Sequence, residues 1–292
     1  MELLPVAKLP KELGDFSLVF EATEFKSPFG RVLPLAMGNN VSWEIPEMLA
    51  HKITSLAATA LLLSACGGSG GASGVPNPPP APPRPVVEKT FDFAQGSGGW
   101  LAGYADYSPS TAPNDVVSEI RALPVPFSGF GYYNAGTNRS DDLFIYVKTK
   151  IGGLAAGTNY RVGATVEFLT DVPVGCSGVG GAPGESVWVV VATSSSEPQT
   201  QFNGLEYRMN IERGNQSQSG RDGVVVGNIA NTVQDCGPRR WETKSLATPI
   251  PSPLIIRADD RGEAWFLVGI DSGFESFSRV YYQRFIARFE PV

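Results

Sequence analysis

From residue 89 to the C-terminus, apolar and polar residues tend to alternate. Tyr160, Val162, Ala164, Val166 and Phe168 share one face of a period of two, with Arg161, Thr165 and Glu167 opposite. Leu205, Tyr207, Met209 and Ile211 alternate with Glu206, Arg208, Asn210 and Glu212. Near the end, Tyr281, Phe285, Ala287 and Phe289 share a face with one polar member, Gln283. Three more runs, Val187 to Ala192, Ala264 to Val268 and Leu143 to Val147, are more continuously apolar, as strands covered on both faces are. Gly, Pro, Asn and Asp punctuate the runs, as at Gly152-Gly153 and Asp259-Asp260-Arg261-Gly262. No long amphipathic helix and no internal repeat interrupts them. Short strands at fairly regular spacing predict an all-β fold, an antiparallel β-sandwich of the jelly-roll kind, over residues 89–292.

The N-terminal part has a different texture. From Met48 the chain reads a short head carrying Lys52, then mostly apolar residues from Ile53 to Ala65, ending Leu63-Ser64-Ala65-Cys66. The apolar stretch is too short to span a ~30 Å hydrocarbon core and has the length of a signal-peptide core. Basic head, apolar core, small residues and a cysteine stand in the order of a bacterial lipoprotein signal with its lipobox, which residues 48–66 resemble. That resemblance implies cleavage before Cys66, lipidation of its thiol, and attachment to the cell envelope. Two or more acyl chains anchor a protein stably where one holds it only marginally. Gly67 follows the cysteine, and the absence of Asp there favours the outer membrane.

Two segments flank this signal. Residues 1–47 are expected to be upstream sequence translated from a wrong start. Trp43-Glu44 must be encoded TGG-GAR, which contains the ribosome-binding core GGGA, one workable spacing before the Met48 codon; the competing reading is a genuine extension. Residues 67–88 hold five Gly and seven Pro. This predicts a linker, flexible from Gly67 to Gly74 and stiff from Pro76 to Pro85.

Composition narrows the function classes. The formal net charge is −6, which argues against a nucleic-acid binder, since that needs a cationic surface to displace counterions. The sole histidine, His51, lies inside the signal. The mature chain therefore has no histidine for Ser-His-Asp or Cys-His activation, nor for a His-ligated metal. Past the anchor only Cys176 and Cys236 remain. Two thiols cannot complete a Cys-rich metal site, and in an oxidising compartment they are expected to pair, closing a loop of about 60 residues worth about 3–4 kcal/mol. The alternative is two separate thiols. The Gly-rich run Gly178 to Glu185 lacks the Lys-Ser/Thr ending of a phosphate loop.

Carboxylates are then the remaining acid/base groups. Asp271 and Glu275, following the apolar run Trp265 to Gly269, are the first candidates for a glycosidic hydrolysis pair. The competing reading makes Asp271 the start of a turn and Glu275 a partner of Arg279 or Arg284. A structural calcium ion held by carboxylates and carbonyls is a further possibility; no other cofactor is expected.

The opening Phe91-Asp92-Phe93 with Gly99-Trp100, and the closing Tyr281-Tyr282 to Phe285-Ile286, resemble the first and last strands of carbohydrate-binding-module-like jelly rolls. The resemblance implies glycan binding, in which exposed rings stack on sugar faces. Tyr104, Tyr107, Tyr132 and Tyr133, in Gly-flanked and loop-like sequence, are the rings expected to do so. The expectation is a lipid-anchored envelope protein whose sandwich binds a glycan or serves a structural role. The alternative is a carboxylate-dependent carbohydrate-active enzyme.

Overall fold

The computed structural model describes residues 84–292. The upstream extension, the signal segment with Cys66, and most of the linker lie outside the described residues.

The strands follow in chain order. The first half holds β1 (Val87–Asp92), β2 (Leu101–Ala105), β3 (Asn114–Ala122), β4 (Phe130–Thr137), β5 (Leu143–Ile151), β6 (Asn159–Thr170) and β7 (Val187–Ser194). A run of short strands comes next: β8 (Thr200–Phe202), β9 (Tyr207–Met209), β10 (Gly214–Asn215) and β11 (Gln218–Ser219). The chain closes with β12 (Gly223–Asn228), β13 (Glu242–Ala247), β14 (Ile255–Arg257), β15 (Ala264–Ser272) and β16 (Phe277–Pro291). The first strand starts at Val87, two residues inside the stretch expected to be linker.

Two antiparallel sheets form a sandwich. The first runs β13-β6-β16-β4-β3, with β1 beside β16 and β14 beside β6; the second runs β12-β7-β15-β5-β2. The chain crosses between them repeatedly, as in a jelly roll. Their inner faces share one core, in which Val147, Val189 and Val268 of the second sheet meet Val162, Phe168 and Phe285 of the first. A large apolar side chain fully withdrawn from water stabilises the fold by about 1.5–3 kcal/mol. Cys176 and Cys236 are disulfide-bonded, with Cα atoms 5.7 Å apart.

The strand β16 shows where a period of two misleads. A bulge falls between Tyr282 and Arg284. Before it Val280 and Tyr282 face the core, and after it Phe285, Ala287 and Phe289 do. The extra residue reverses the parity, so Tyr281 packs on the outer face with Tyr133 and Leu169, not with Phe285.

Residues 195–222 depart further from expectation. The alternation over 205–212 predicts a sheet strand, but only Tyr207–Met209 is extended, as one arm of the β8–β9 hairpin. Met209 and Ile211 instead pack on a second apolar cluster of Phe144, Tyr146, Val190, Ala192 and Leu267, on the outer face of the second sheet. The segment is a strap across that face.

Candidate functional site: an aromatic row above an acid–arginine network

The β8–β9 hairpin builds the site. Phe202 and Tyr207 face each other in its register, and Asn203 to Glu206 make the turn. The Asn203 side-chain oxygen accepts from the backbone N–H groups of Leu205 (2.9 Å) and Glu206 (2.8 Å). Gly204 takes φ +98°, which a side chain would strain. The hairpin docks on β2 through Thr200, whose hydroxyl donates to the Tyr104 carbonyl at 2.8 Å. Just past β2, Tyr107 and Tyr207 bridge: the Tyr207 N–H donates to the Tyr107 carbonyl at 2.8 Å, and the Asp106 N–H to the Tyr207 carbonyl at 2.6 Å.

These connections set four rings in a row. Tyr107 stacks on Tyr207 with centroids 4.8 Å apart and planes 17° from parallel. Tyr104 adjoins Tyr107 at 5.3 Å, and Phe202 adjoins Tyr207 at 4.9 Å. The two middle rings brace each other and are half-buried. The outer rings reach solvent, Tyr104 being 38% exposed and Phe202 50%. Leu205, at the hairpin tip, is 72% exposed. Burial and the neighbouring Tyr104 push the Tyr107 phenol up to about 12, so that ring stays uncharged through the physiological range.

Beneath the row lies a charged network. Asp106, Asp142 and Asp271 each bring a carboxylate oxygen within 4.8 Å of the others. Arg213, only 4% exposed, reaches down from the strap and donates to Asp271 at 2.5 Å and to Asp106. Its guanidinium lies over the Phe144 ring at 3.9 Å. Arg208 of β9 donates to Asp142 at 2.7 Å and lies 3.2 Å from Asp106. Burial, with the Asp271 and Asp106 charges nearby, pushes the Asp142 carboxyl up to about 7; burial raises Asp106 as well. Calcium takes six to eight oxygen ligands. Here a buried arginine stands among the carboxylates and answers their charge, so the residues present do not fit that ion while Arg213 holds them.

Two pairs of expected site residues fall elsewhere. Asp271 is not in a loop: β15 runs on to Ser272, and the carboxylate is fully buried on Arg213. Gly269 permits the continuation, because a side chain there would strike the Phe144 ring. Glu275 is exposed in the following turn, so the two do not make a facing pair on a shared cleft. Tyr132 and Tyr133 lie inside β4, 4% and 5% exposed. Tyr132 packs between the sheets, 5.4 Å from Phe93, and Tyr133 lies under Arg121. The adjacent Gly131 marks close packing, not a loop. A Cβ on Gly131 would come within 2.9 Å of both Leu123 and the Tyr282 carbonyl.

No family model matches the chain, and no curated protein does. Solved structures do, and several are carbohydrate-binding modules. One comes from a study of promiscuous specificity among β-sandwich carbohydrate-binding modules: 13% identity, 66% of this chain and 58% of that chain covered, TM-score 0.33. A module described for specific mannan recognition matches at 9% identity, covering 72% of this chain and all of that one, with TM-score 0.32. The cleaved adhesin domain of Lys-gingipain from Porphyromonas gingivalis matches at 8%, covering 69% and 97%, with TM-score 0.34. Likeness this loose says nothing about what this chain binds; the sandwich rests on the strand pairing described above.

Of the four expected rings, the structure brings Tyr104 and Tyr107 together. It adds Phe202 and Tyr207, which the sequence reading passed over. Asn203-Gly204 between them is a strong short-range hairpin signal and would have found them.

Proposed function

We propose that this chain is a lipid-anchored cell-envelope protein whose sandwich binds a neutral glycan on the aromatic row. The observation that carries the reading is the exposure of Tyr104 and Phe202 on either side of a braced Tyr107–Tyr207 stack. A large flat ring held half out of water presents an apolar face to the C–H face of a sugar, and its stiffness keeps the entropic cost of binding low. The role is binding rather than hydrolysis: Asp271 is consumed by Arg213, and Glu275 stands apart from it. Support for the anchor comes from the sequence Leu63-Ser64-Ala65-Cys66 and the Gly/Pro-rich stretch after it.

Two experiments test the two halves. Gel electrophoresis through a panel of neutral polysaccharides reads binding, and retardation by none of them removes the glycan reading. Intact-mass analysis of protein from the native envelope reads the anchor. The expected mass is that of a chain beginning at an acylated Cys66, and Cys66→Ser loses the acyl mass. An unmodified chain beginning at Met1 contradicts both the anchor and the start at Met48.

A further inference from the structure

A second surface, on the outer face of the first sheet, joins arginines to rings in a continuous run. The Arg121 guanidinium lies 4.0 Å from the centre of the Tyr133 ring. Tyr133 contacts Tyr281 at 4.7 Å between centroids, and Tyr281 meets the edge of Trp241 at 5.2 Å. Arg279 lies 4.9 Å from the Trp241 ring centre and donates to Asp171 at 2.5 Å. Arg239 closes the run, 3.6 Å from the other Asp171 oxygen.

Charge and hydrogen bonding are both incomplete here. Glu119 meets Arg121 at 2.6 Å, and the single buried carboxylate of Asp171 serves both Arg279 and Arg239. The three arginines thus outnumber their acids, on a chain whose net charge is −6. Asp171 is 1% exposed, and one of its oxygens accepts no hydrogen bond; Arg279 Nε, also buried, donates none. A buried unpaired donor and acceptor side by side mark a network short of one polar group. Arg239 stands over that gap and is itself 45% exposed, while Arg121 is 41% and Arg279 34% exposed. The disulfide at Cys236 ties down the loop that carries Arg239.

We propose that this face is a second binding site, for a polymer of sugars bearing carboxylates, with Arg121 meeting an acid at one end of the run and Arg239, beside Arg279, meeting another at the other end. Arg121 donates from Nε and Nη2 to Glu119, and Arg279 from Nη2 to Asp171; an added carboxylate meets the remaining Nη1 side of Arg121 and the half-exposed guanidinium of Arg239. The half-buried rings of Trp241 and Phe277 beside them offer apolar surface to the sugar itself. The site is independent of the aromatic row and stands if that row binds nothing.

The test compares three uronate polymers, polygalacturonate, alginate and hyaluronan, with fully methyl-esterified polygalacturonate, which keeps the backbone and removes the charge. The full exported protein is run against each at low salt and at 0.5 M NaCl. At least one uronate polymer is expected to bind tenfold or more tightly than the ester, and to weaken in salt. The doubly substituted Arg121→Gln, Arg239→Gln protein is expected to lose at least tenfold, while Tyr104→Ala with Phe202→Ala keeps uronate binding. Both arginines are exposed, so their loss spares the fold, whereas Arg279 is left in place to neutralise Asp171. Equal binding of acid and ester, binding of no uronate polymer, or uronate binding unchanged in the arginine variant each overturns the proposal.

Discussion

Tyr107 and Tyr207 are joined twice: their rings stack at 4.8 Å, and the Tyr207 N–H donates to the Tyr107 carbonyl at 2.8 Å. The backbone bond sets the register between the end of β2 and the hairpin, and the stack turns that register into a rigid support for Tyr104 and Phe202. Removing a middle ring should therefore act through the outer ones. Tyr107→Ala is expected to cost about 2–3 kcal/mol of stability, since it loses two aromatic pairs and the area the half-buried ring covers, and to weaken glycan retention several-fold without abolishing it. Tyr107→Phe, which keeps the stack, should retain both. Urea unfolding and retardation gels on the same proteins check the pair of outcomes.

Substitutions at Asp271 should read as damage to the fold. Arg213 and Asp271 are both almost wholly buried, and breaking such a pair on one side leaves a charge without compensation, at about 3–5 kcal/mol. Arg213→Leu strands both Asp271 and Asp106 and is expected to lower the melting temperature by about 10 °C or more. Asp271→Asn should cost less, since Arg213 keeps Asp106. Thermal melts decide the matter. A hydrolytic activity that Asp271→Asn abolishes with the melt unchanged would restore Asp271 to a catalytic role.

The Asp142 carboxyl gives the domain a pH dependence of definite sign. Its value near 7 in the folded chain stands above the ordinary 3.8. A proton is therefore bound more tightly in the folded state, and the stability this supplies is whole below about pH 4 and is lost as pH rises through about 7. Asp106 is shifted the same way. Asp222, Glu242 and Asp259 are shifted down and act at lower pH, where their protonation destabilises the fold. Urea midpoints are expected to fall between pH 5 and pH 8, and Asp142→Asn is expected to flatten that fall. A midpoint that rises over this interval contradicts the assignment.

The fold was largely legible from the chain, because β5, β6, β7 and β15 are long, apolar and regularly patterned. Where the reading failed, packing between distant residues was the cause. Gly131 suggested a loop and Gly269 the end of a strand, yet each lies inside a strand where another side chain leaves no room for a Cβ. The bulge at Gln283 reversed Tyr281, and no local pattern announces a bulge. The site was half legible. Tyr104 and Tyr107 stood out as clustered rings, but Tyr207 sat in an alternation that suited a sheet strand equally well. Nothing local to Arg213 shows that it would meet Asp106 and Asp271, which lie far away along the chain.

The pairing of Cys176 with Cys236 spans 60 residues and includes the strap that carries Phe202, Tyr207 and Arg213. Cross-linking a loop of that length stabilises a fold by about 4 kcal/mol through the unfolded chain. Cys176→Ser with Cys236→Ser is expected to lower the urea midpoint correspondingly. Peptide mapping without reductant should recover the two cysteines in one linked fragment; two freely alkylated thiols would contradict the bond.

The central claim is that the exposed outer rings of the row, not the buried tyrosines of β4, make the glycan surface. Retardation of the full chain in gels of neutral polysaccharides, with each variant first shown to be folded by its thermal melt, tests it directly. Phe202→Ala with Tyr104→Ala should abolish retardation in a protein that still melts cooperatively, while Tyr132→Phe, a conservative change in the core, should leave it intact. Retardation that persists at full strength in the Phe202→Ala, Tyr104→Ala protein would contradict the account.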